Sequence, residues 1–235
     1  MMKLFHKKHQ KLTMDEKLNN LRAGVLGSND GILTVVGVLF SVGVATSDIY
    51  TIFIAGLADL LACAFSMAGG EYASVSSQRD TEESAVREEE KLLDTNFTGE
   101  RQDVVDYYME RGISEETADE IADDLLSKNP LQTMVSVKYD MEIGRYMSPW
   151  SAAFSSLVSA ALGGTLPLLA MTLLPNDLKW PGTIVAVVIA VGLTGYFSAL
   201  LGNGLVKIAI IRNVIVGILT MFIHYFVGII FGHFF

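Results

Sequence analysis

The chain has 235 residues, 51% of them hydrophobic, and it carries 26 acidic and 17 basic side chains, which give a formal net charge of −9. A mean hydropathy of +0.40 indicates a small polytopic membrane protein. Nucleic acid is not expected as a partner, because there is no basic face to neutralise phosphates. The single cysteine, Cys63, excludes an internal disulfide.

Five apolar stretches are long enough to cross the roughly 30 Å hydrocarbon core of a bilayer, which takes about 20 helical residues. They occupy residues 23–46, 51–77, 149–174, 182–204 and 211–234. So few residues separate the first two that they form a tight antiparallel hairpin. Ser148 and Pro149 suit the N-cap and the first helical position of the third span. The predicted fold is an all-α membrane protein with five transmembrane helices.

Between spans two and three, residues 78–147 form an acidic insert with 19 acidic and 8 basic side chains, a net charge of −11 (8 − 19). Anionic lipid headgroups would repel this charge, so we interpret the insert as a collector of cations. Its helical periodicity predicts a three-helix domain. The predicted elements are a continuation of span two to about Leu93, a helix from a Thr98 cap to just before Gly112, a helix 115–128 capped by Ser114, and a last piece 131–143.

The distribution of Lys and Arg predicts the orientation in the membrane. Six basic residues lie in the N-terminal arm, and Lys207 and Arg212 lie between spans four and five, whereas the opposite side has only Lys179. We therefore expect a multi-pass protein of the cell membrane, with a cytoplasmic N-terminus, a cytoplasmic insert and an outer C-terminus. The predicted domains are the arm 1–22, the transmembrane hairpin 23–77, the acidic insert 78–147 and spans three to five 148–235.

Asp30 is the most informative residue of span one. If Asp30 only capped a helix beginning at Ile32, the 15 residues to Thr46 would extend about 22 Å, which is too short to cross the bilayer. Span one must therefore start near Ala23, and Asp30 lies inside the membrane. An intramembrane carboxylate is costly and is by default a functional-site hypothesis.

Span two carries Asp59, Cys63, Met67 and Glu71 at intervals of four, so they share one helix face. A carboxylate, a thiol and a thioether together favour a borderline or soft divalent ion over Mg²⁺ or Ca²⁺. For Cys63 or Met67 alone, ordinary packing is the better interpretation. His224, in the middle of span five, is interpreted as a structural residue that hydrogen-bonds across helices and could pass a proton.

Acidic residues in the insert also fall on shared helix faces. Glu82 and Glu89 are seven apart, Glu100 and Asp103 are three apart, and Glu142 ends the last predicted helix. A solvated acidic surface is the plain alternative for such a charge run.

Two motifs, Ser28-Asn29-Asp30-Gly31 in span one and Ser66-Met67-Ala68-Gly69-Gly70-Glu71-Tyr72 in span two, resemble the vacuolar iron transporter (VIT) family. The resemblance extends over essentially the whole chain. It implies a homodimer that exports Fe²⁺, and often Mn²⁺, from the cytoplasm in exchange for protons. It also implies that Asp30 and Met67 lie on the translocation path at the dimer interface. With the acids of span two, the predicted path comprises Asp30, Asp59, Met67 and Glu71.

The resemblance also implies metal ligands in the insert. Extending the register from Met67 puts family ligand positions on Glu89, Leu92, Glu100 and Asp103, and Leu92 stands where a glutamate is expected. Near the end of the insert, Lys138 and Tyr139 occupy the approximate positions of two family methionines. The predicted metal-binding set is Glu82, Glu89, Glu100, Asp103, Met141 and Glu142. No prosthetic group is expected, since Fe²⁺ and Mn²⁺ are the transported ions.

Two other classes of function remain open at this point. A di-iron carboxylate enzyme would need Glu-x-x-His pairs, and none of the four histidines follows such a glutamate. A metal-binding membrane protein without transport would leave the intramembrane Asp30 and Asp59 without a purpose. No Gly-x-x-x-x-Gly-Lys-Ser/Thr string occurs, so proton entry rather than nucleotide hydrolysis is the expected source of work.

Overall fold

The computed structural model describes residues 14–232, and within this range the secondary structure is entirely helical. The helices, in chain order, are α1 Met14–Ala45, α2 Ile49–Thr95, α3 Phe97–Met109, α4 Glu115–Lys128, α5 Pro130–Tyr139, α6 Pro149–Leu173, α7 Lys179–Leu201 and α8 Val206–Gly232. Five of the helices in the described range are long and apolar enough to cross a membrane, namely α1, α2, α6, α7 and α8. Most of the basic N-terminal arm lies outside the described residues.

The chain divides into two compact units, which we describe separately. The first comprises the residues up to 74 and from 148 onward, and it contains the candidate membrane spans. The second comprises residues 75–147 and contains the acidic insert. Helix α2 is 47 residues long, so its first part belongs to the first unit and its last part to the second.

In the first unit, α1 packs against α6, α7 and α8. Glycines bring the α1 and α6 backbones into direct contact: a Cβ at Gly27 would lie 2.7 Å from the Ser156 carbonyl oxygen, and one at Gly31 would overlap the Ala160 carbonyl. Small residues of this kind let membrane helices approach closely. The α1–α6 pair is therefore fixed by backbone contact rather than by long side chains.

Two apolar clusters lie on either side of α1. One joins α1 to α2 and α6 through Val35, Leu39, Ile52, Leu60, Leu168 and Met171. The other joins α1 to α7 and α8 through Ile32, Val36, Phe40, Val187, Ala190, Val191 and Met221. Apolar residues of α1 are therefore packed on both sides of the helix, and the polar Asp30 lies within the same helix.

The beginning of the third span was predicted correctly. The Ser148 side chain accepts a hydrogen bond from the Ser151 amide, and Pro149 is the first residue of α6. This satisfies one of the free N–H groups at the start of the helix.

The insert has its own apolar core, formed by Val104, Val105, Ala118, Ala122, Leu126 and Met134. Two predicted helix ends in the insert were wrong. The cap of α3 is Asn96 rather than Thr98, which lies inside the helix. The last helix stops at Tyr139 instead of continuing to residue 143, because Asp140 takes a left-handed conformation with φ of 55°. The Gln132 side chain then bonds the Met141 carbonyl and the Ile143 amide, which holds the chain away from the helix.

Candidate functional site

Asp30 lies in the middle of α1, fifteen residues before its end at Ala45. The thiol of Cys63, on α2, donates a hydrogen bond of 3.3 Å to Asp30 Oδ2. The Cys63 side chain is buried, and Asp30 is half-buried. The structure thus brings together a carboxylate and a thiol that are 33 residues apart in the sequence.

Asp59 lies one helical turn before Cys63 on α2. Its Oδ2 atom is buried and has no hydrogen-bond partner among residues 14–232. Asp30 and His224 are both close enough to Asp59 to interact with it electrostatically. A buried carboxylate oxygen without a donor is costly, and a bound cation or proton would relieve that cost.

His224 reaches this region from α8. Its imidazole packs directly on Gly37 of α1, where a Cβ would lie 2.8 Å from the ring. Its Nδ1 atom lies 3.4 Å from the Ser41 hydroxyl oxygen. His224 was predicted to hydrogen-bond across helices and to pass a proton, and its electrostatic interaction with Asp59 was not predicted, because it depends on how spans two and five pack. An intramembrane histidine in an apolar span was the only signal available.

Met67 and Glu71 continue the same face of α2. Met67 is half-buried and packs on a small cluster formed by Cys63, Ala64 and Ala160. Glu71 is buried, and its Oε2 atom lies 3.1 Å from Nη2 of Arg22 on α1, whose side chain is largely exposed. Arg22 was predicted only as part of the basic arm, so its pairing with Glu71 is a contact that the sequence analysis missed.

In the insert, three of the predicted metal ligands surround an ammonium group. The Lys138 Nζ atom lies 2.6 Å from Glu100 Oε2, 3.0 Å from Asp103 Oδ2 and 3.2 Å from Glu89 Oε2. The Tyr139 hydroxyl donates a 3.0 Å hydrogen bond to the other Glu89 oxygen, Oε1. We call these five residues the Lys138 cluster.

Burial governs the electrostatics of the Lys138 cluster. Glu89 is 1% exposed and Glu100 is 3% exposed. Burial raises the pKa of Glu100, and the hydrogen bond from Lys138 opposes that rise. Burial alone would lower the pKa of Lys138, but its hydrogen bonds to the three carboxylates outweigh burial and raise it. Burial and the bond to Glu89 raise the pKa of Tyr139, so the phenol remains a donor and Lys138 remains charged.

The other three predicted ligands of the insert have different partners. Glu82 accepts a hydrogen bond from Gln78, Glu142 pairs with Arg145, and the Met141 carbonyl accepts one from Gln132. Within residues 14–232, no three His, Cys, Asp or Glu side chains are arranged so that they could hold a metal ion.

Five apolar helices of spanning length are those of a polytopic membrane protein, and the Asp30 carboxylate and the Cys63 thiol meet between two of these helices. The model of the VIT family matches residues 21–229. The chain belongs to the VIT family.

Several relatives cover most of the chain. A protein of Acanthamoeba castellanii named vacuolar iron transporter is 34% identical over 209 residues, which is 88% of this chain and 77% of the relative. Vacuolar iron transporter homolog 2.1 of Arabidopsis thaliana is 30% identical over 86% of this chain and 76% of its own length. Homolog 5 of Oryza sativa is 30% identical over 94% and 82%. These names describe transporters, which are not enzymes, so we set the di-iron enzyme alternative aside.

Proposed function

We propose that this protein transports divalent metal ions, exporting Fe²⁺ and also Mn²⁺ from the cytoplasm in exchange for protons. The observation that carries the proposal is the intramembrane group of Asp30, Cys63 and Asp59, in which one buried carboxylate oxygen has no donor among the described residues. The names of the relatives support iron as the substrate. The lipid bilayer is the surrounding medium, with residues 78–147 on the cytoplasmic side.

The chemistry of the group suits a transition-metal ion. The Asp30 and Asp59 carboxylates supply negative charge that offsets the loss of water from a divalent ion. The Cys63 sulfur and the Met67 thioether, which pack in one cluster, are soft ligands that favour Fe²⁺ over Mg²⁺. We place Asp30, Asp59, Met67 and Glu71 on the translocation path.

Proton exchange follows from the same carboxylates. Export of a doubly charged ion from a cell that is negative inside costs about 4.6 kcal/mol per 100 mV, twice the cost for a single charge. A carboxylate in the path binds either a proton or a metal ion, so protons that enter from the outside displace the metal and supply this work. His224, which interacts electrostatically with Asp59, is a second group through which a proton can pass.

We further propose that Glu71 is the first intramembrane group to receive the ion. It is buried and paired with the exposed Arg22, and an arriving divalent cation would replace the guanidinium. This exchange of one positive partner for another keeps the buried Glu71 neutralised throughout.

A homodimer is part of the proposal. Leu61, Phe65 and Tyr72 on α2 are exposed, and a Cβ added at Gly69 or Gly70 would meet no heavy atom of the described residues within 4 Å. Glycines without a neighbour allow the close approach of a second helix, which supports α2 as the contact between two copies.

The test is ion flux in sealed vesicles that contain the purified protein. We expect Fe²⁺ and Mn²⁺ to move from the cytoplasmic face outward, faster when the outer face is acidic, and with protons moving in the opposite direction. Metal flux that ignores the pH gradient would instead show a passive channel. A folded protein with no metal flux would show a metal-binding protein that does not transport.

A further inference from the structure

The Lys138 cluster is arranged like a cation-binding site in which a side chain of the protein itself supplies the cation. An ammonium group has three N–H donors and no acceptor. Three carboxylates, from Glu89 on α2 and from Glu100 and Asp103 on α3, lie within 3.2 Å of the Lys138 Nζ atom. The ammonium therefore has one oxygen of each carboxylate beside it, and Glu100 Oε2 accepts a hydrogen bond from it.

Glu89 Oε1 accepts a hydrogen bond from the Tyr139 hydroxyl. Lys138 and Tyr139 are adjacent at the end of α5, so one short segment of chain places a hydroxyl donor and an ammonium charge beside a carboxylate that is 1% exposed. The other oxygen, Oε2, accepts no hydrogen bond from the described residues, but it lies 3.2 Å from the charged Lys138 Nζ atom.

We propose that the Lys138 ammonium takes the place of a metal ion in the insert, so that Glu89, Glu100 and Asp103 already surround a cation supplied by the protein and do not bind divalent cations in this protein. The inference goes beyond the proposed transport and does not depend on it. It follows that loading of these three carboxylates with metal is not a step in the working cycle of this protein.

Competition between the two cations favours the lysine. Lys138 is tethered to the site, so its ammonium is present at a high effective concentration, whereas a free ion must pay the entropy of binding. A divalent ion that displaced it would also leave the ammonium, whose side chain is only 22% exposed, without the partners that offset its burial. The remaining acidic side chains on the exposed surface of the insert can still attract cations diffusely.

The experiment uses Co²⁺ as the probe, because its visible absorption reports the ligand geometry, and it uses the full-length protein in detergent. The variants are Lys138→Met, Lys138→Met combined with Glu89→Gln and Glu100→Gln, and Glu89→Gln with Glu100→Gln alone. Lys128→Met is the matched control, because Lys128 also lies in the insert but pairs with Asp124 on the exposed surface. Lys128→Met removes the same charge as Lys138→Met and leaves the residues of the Lys138 cluster unchanged.

We expect wild-type protein and the Lys128→Met control to bind the same number of Co²⁺ ions. Lys138→Met should bind one more ion per chain, with a new absorption band, and the two added glutamine substitutions should abolish both. Co²⁺ should raise the unfolding temperature of the insert in Lys138→Met and leave that of the wild-type insert unchanged.

Two results would overturn the inference. One is a folded Lys138→Met protein that gains no Co²⁺ site. The other is a loss of bound Co²⁺ when Glu89 and Glu100 alone are replaced, which would show that the wild-type cluster already holds metal. This second result keeps the wild-type lysine, so it does not depend on folding of the Lys138→Met variant. Retention of all wild-type Co²⁺ in that double variant supports the inference.

Discussion

The carboxylates inside the two units of this protein differ in what lies beside them. In the membrane unit, Asp59 has a buried oxygen without a donor among the described residues, and Asp30 receives only a thiol hydrogen bond. In the insert, Glu89 and Glu100 are paired with the Lys138 ammonium. We therefore expect Glu89 and Glu100, whose cationic partner Lys138 is itself partly buried, to be structural, and Asp30 and Asp59 to be available to an ion or a proton.

The largest effect should come from removing the membrane carboxylate. Asp30→Ala takes away charge that offsets dehydration of the ion, so we expect metal flux in vesicles to fall at least about 100-fold, which corresponds to about 2.7 kcal/mol. Asp177→Ala, in the exposed loop between α6 and α7, removes the same charge outside the spans and should keep wild-type flux. Normal flux in a folded Asp30→Ala protein would contradict the proposed path.

The next largest effect should appear in the stability of the insert. Lys138→Ala leaves two nearly inaccessible glutamates without their cation, so we expect a loss of about 3 kcal/mol, measured by hydrogen exchange of residues 75–147. Because the pKa of Lys138 is raised in the folded protein, its contribution is fully present below the ordinary lysine pKa of about 10.4 and is lost only as the pH rises through the folded value.

The penalty of Lys138→Ala should accordingly be the same at pH 7 and pH 9. Lys128→Ala, which removes an exposed pair at a spacing of four residues, should cost no more than about 0.5 kcal/mol. Equal costs at the two lysines would show that the Lys138 cluster contributes no more than a surface ion pair.

A smaller effect is expected at Met67, where the change tests ligand type rather than charge. Met67→Leu keeps the volume and loses the sulfur, so Fe²⁺ flux should fall by about threefold to tenfold, roughly 0.7 to 1.4 kcal/mol. Mn²⁺, a harder ion, should be less affected. The measurement is the ratio of Fe²⁺ to Mn²⁺ flux in the same vesicles, and an unchanged ratio would remove Met67 from the ligand set.

The smallest effect should come from an exposed pair in the insert. Arg101 bonds Asp119 and Asp123, and its hydrogen bond lowers the pKa of Asp123. The lowered pKa means that the pair stabilises the fold above the ordinary aspartate pKa near 4, and this contribution is lost as the pH falls through the folded value. Arg101→Gln should therefore weaken hydrogen-exchange protection slightly at pH 7, and less at low pH. A penalty that grows as the pH falls would contradict this assignment.

Features set by local physics could be predicted from the sequence. The five spans follow from the length of apolar helix needed to cross a bilayer, and Ser148 with Pro149 marks the start of α6 because both residues act on neighbouring backbone groups. Asp30 could be placed inside the membrane for the same reason. The left-handed Asp140, in contrast, depends on the Gln132 side chain, and the helix pattern carries no sign of it.

The partners of the site residues could not be predicted in the same way. Lys138 reaches a glutamate 38 residues away, and Arg22 pairs with Glu71 across 49 residues. Such contacts depend on how helices pack, and helical periodicity records only which residues share a face. The resemblance to the family did identify position 138 as a departure, but only the structure shows the ammonium among the carboxylates.

The contact between α1 and α6 has a mechanical consequence. Because the two backbones touch at Gly27 and Gly31, neither helix can slide or rotate past the other without a collision. We expect α1 and α6 to move as one rigid body during the working cycle. In the proposed transport cycle, the movement that opens Asp30 to an ion would then fall to the helices around this pair, including α2, whose Cys63 thiol would release its hydrogen bond to Asp30.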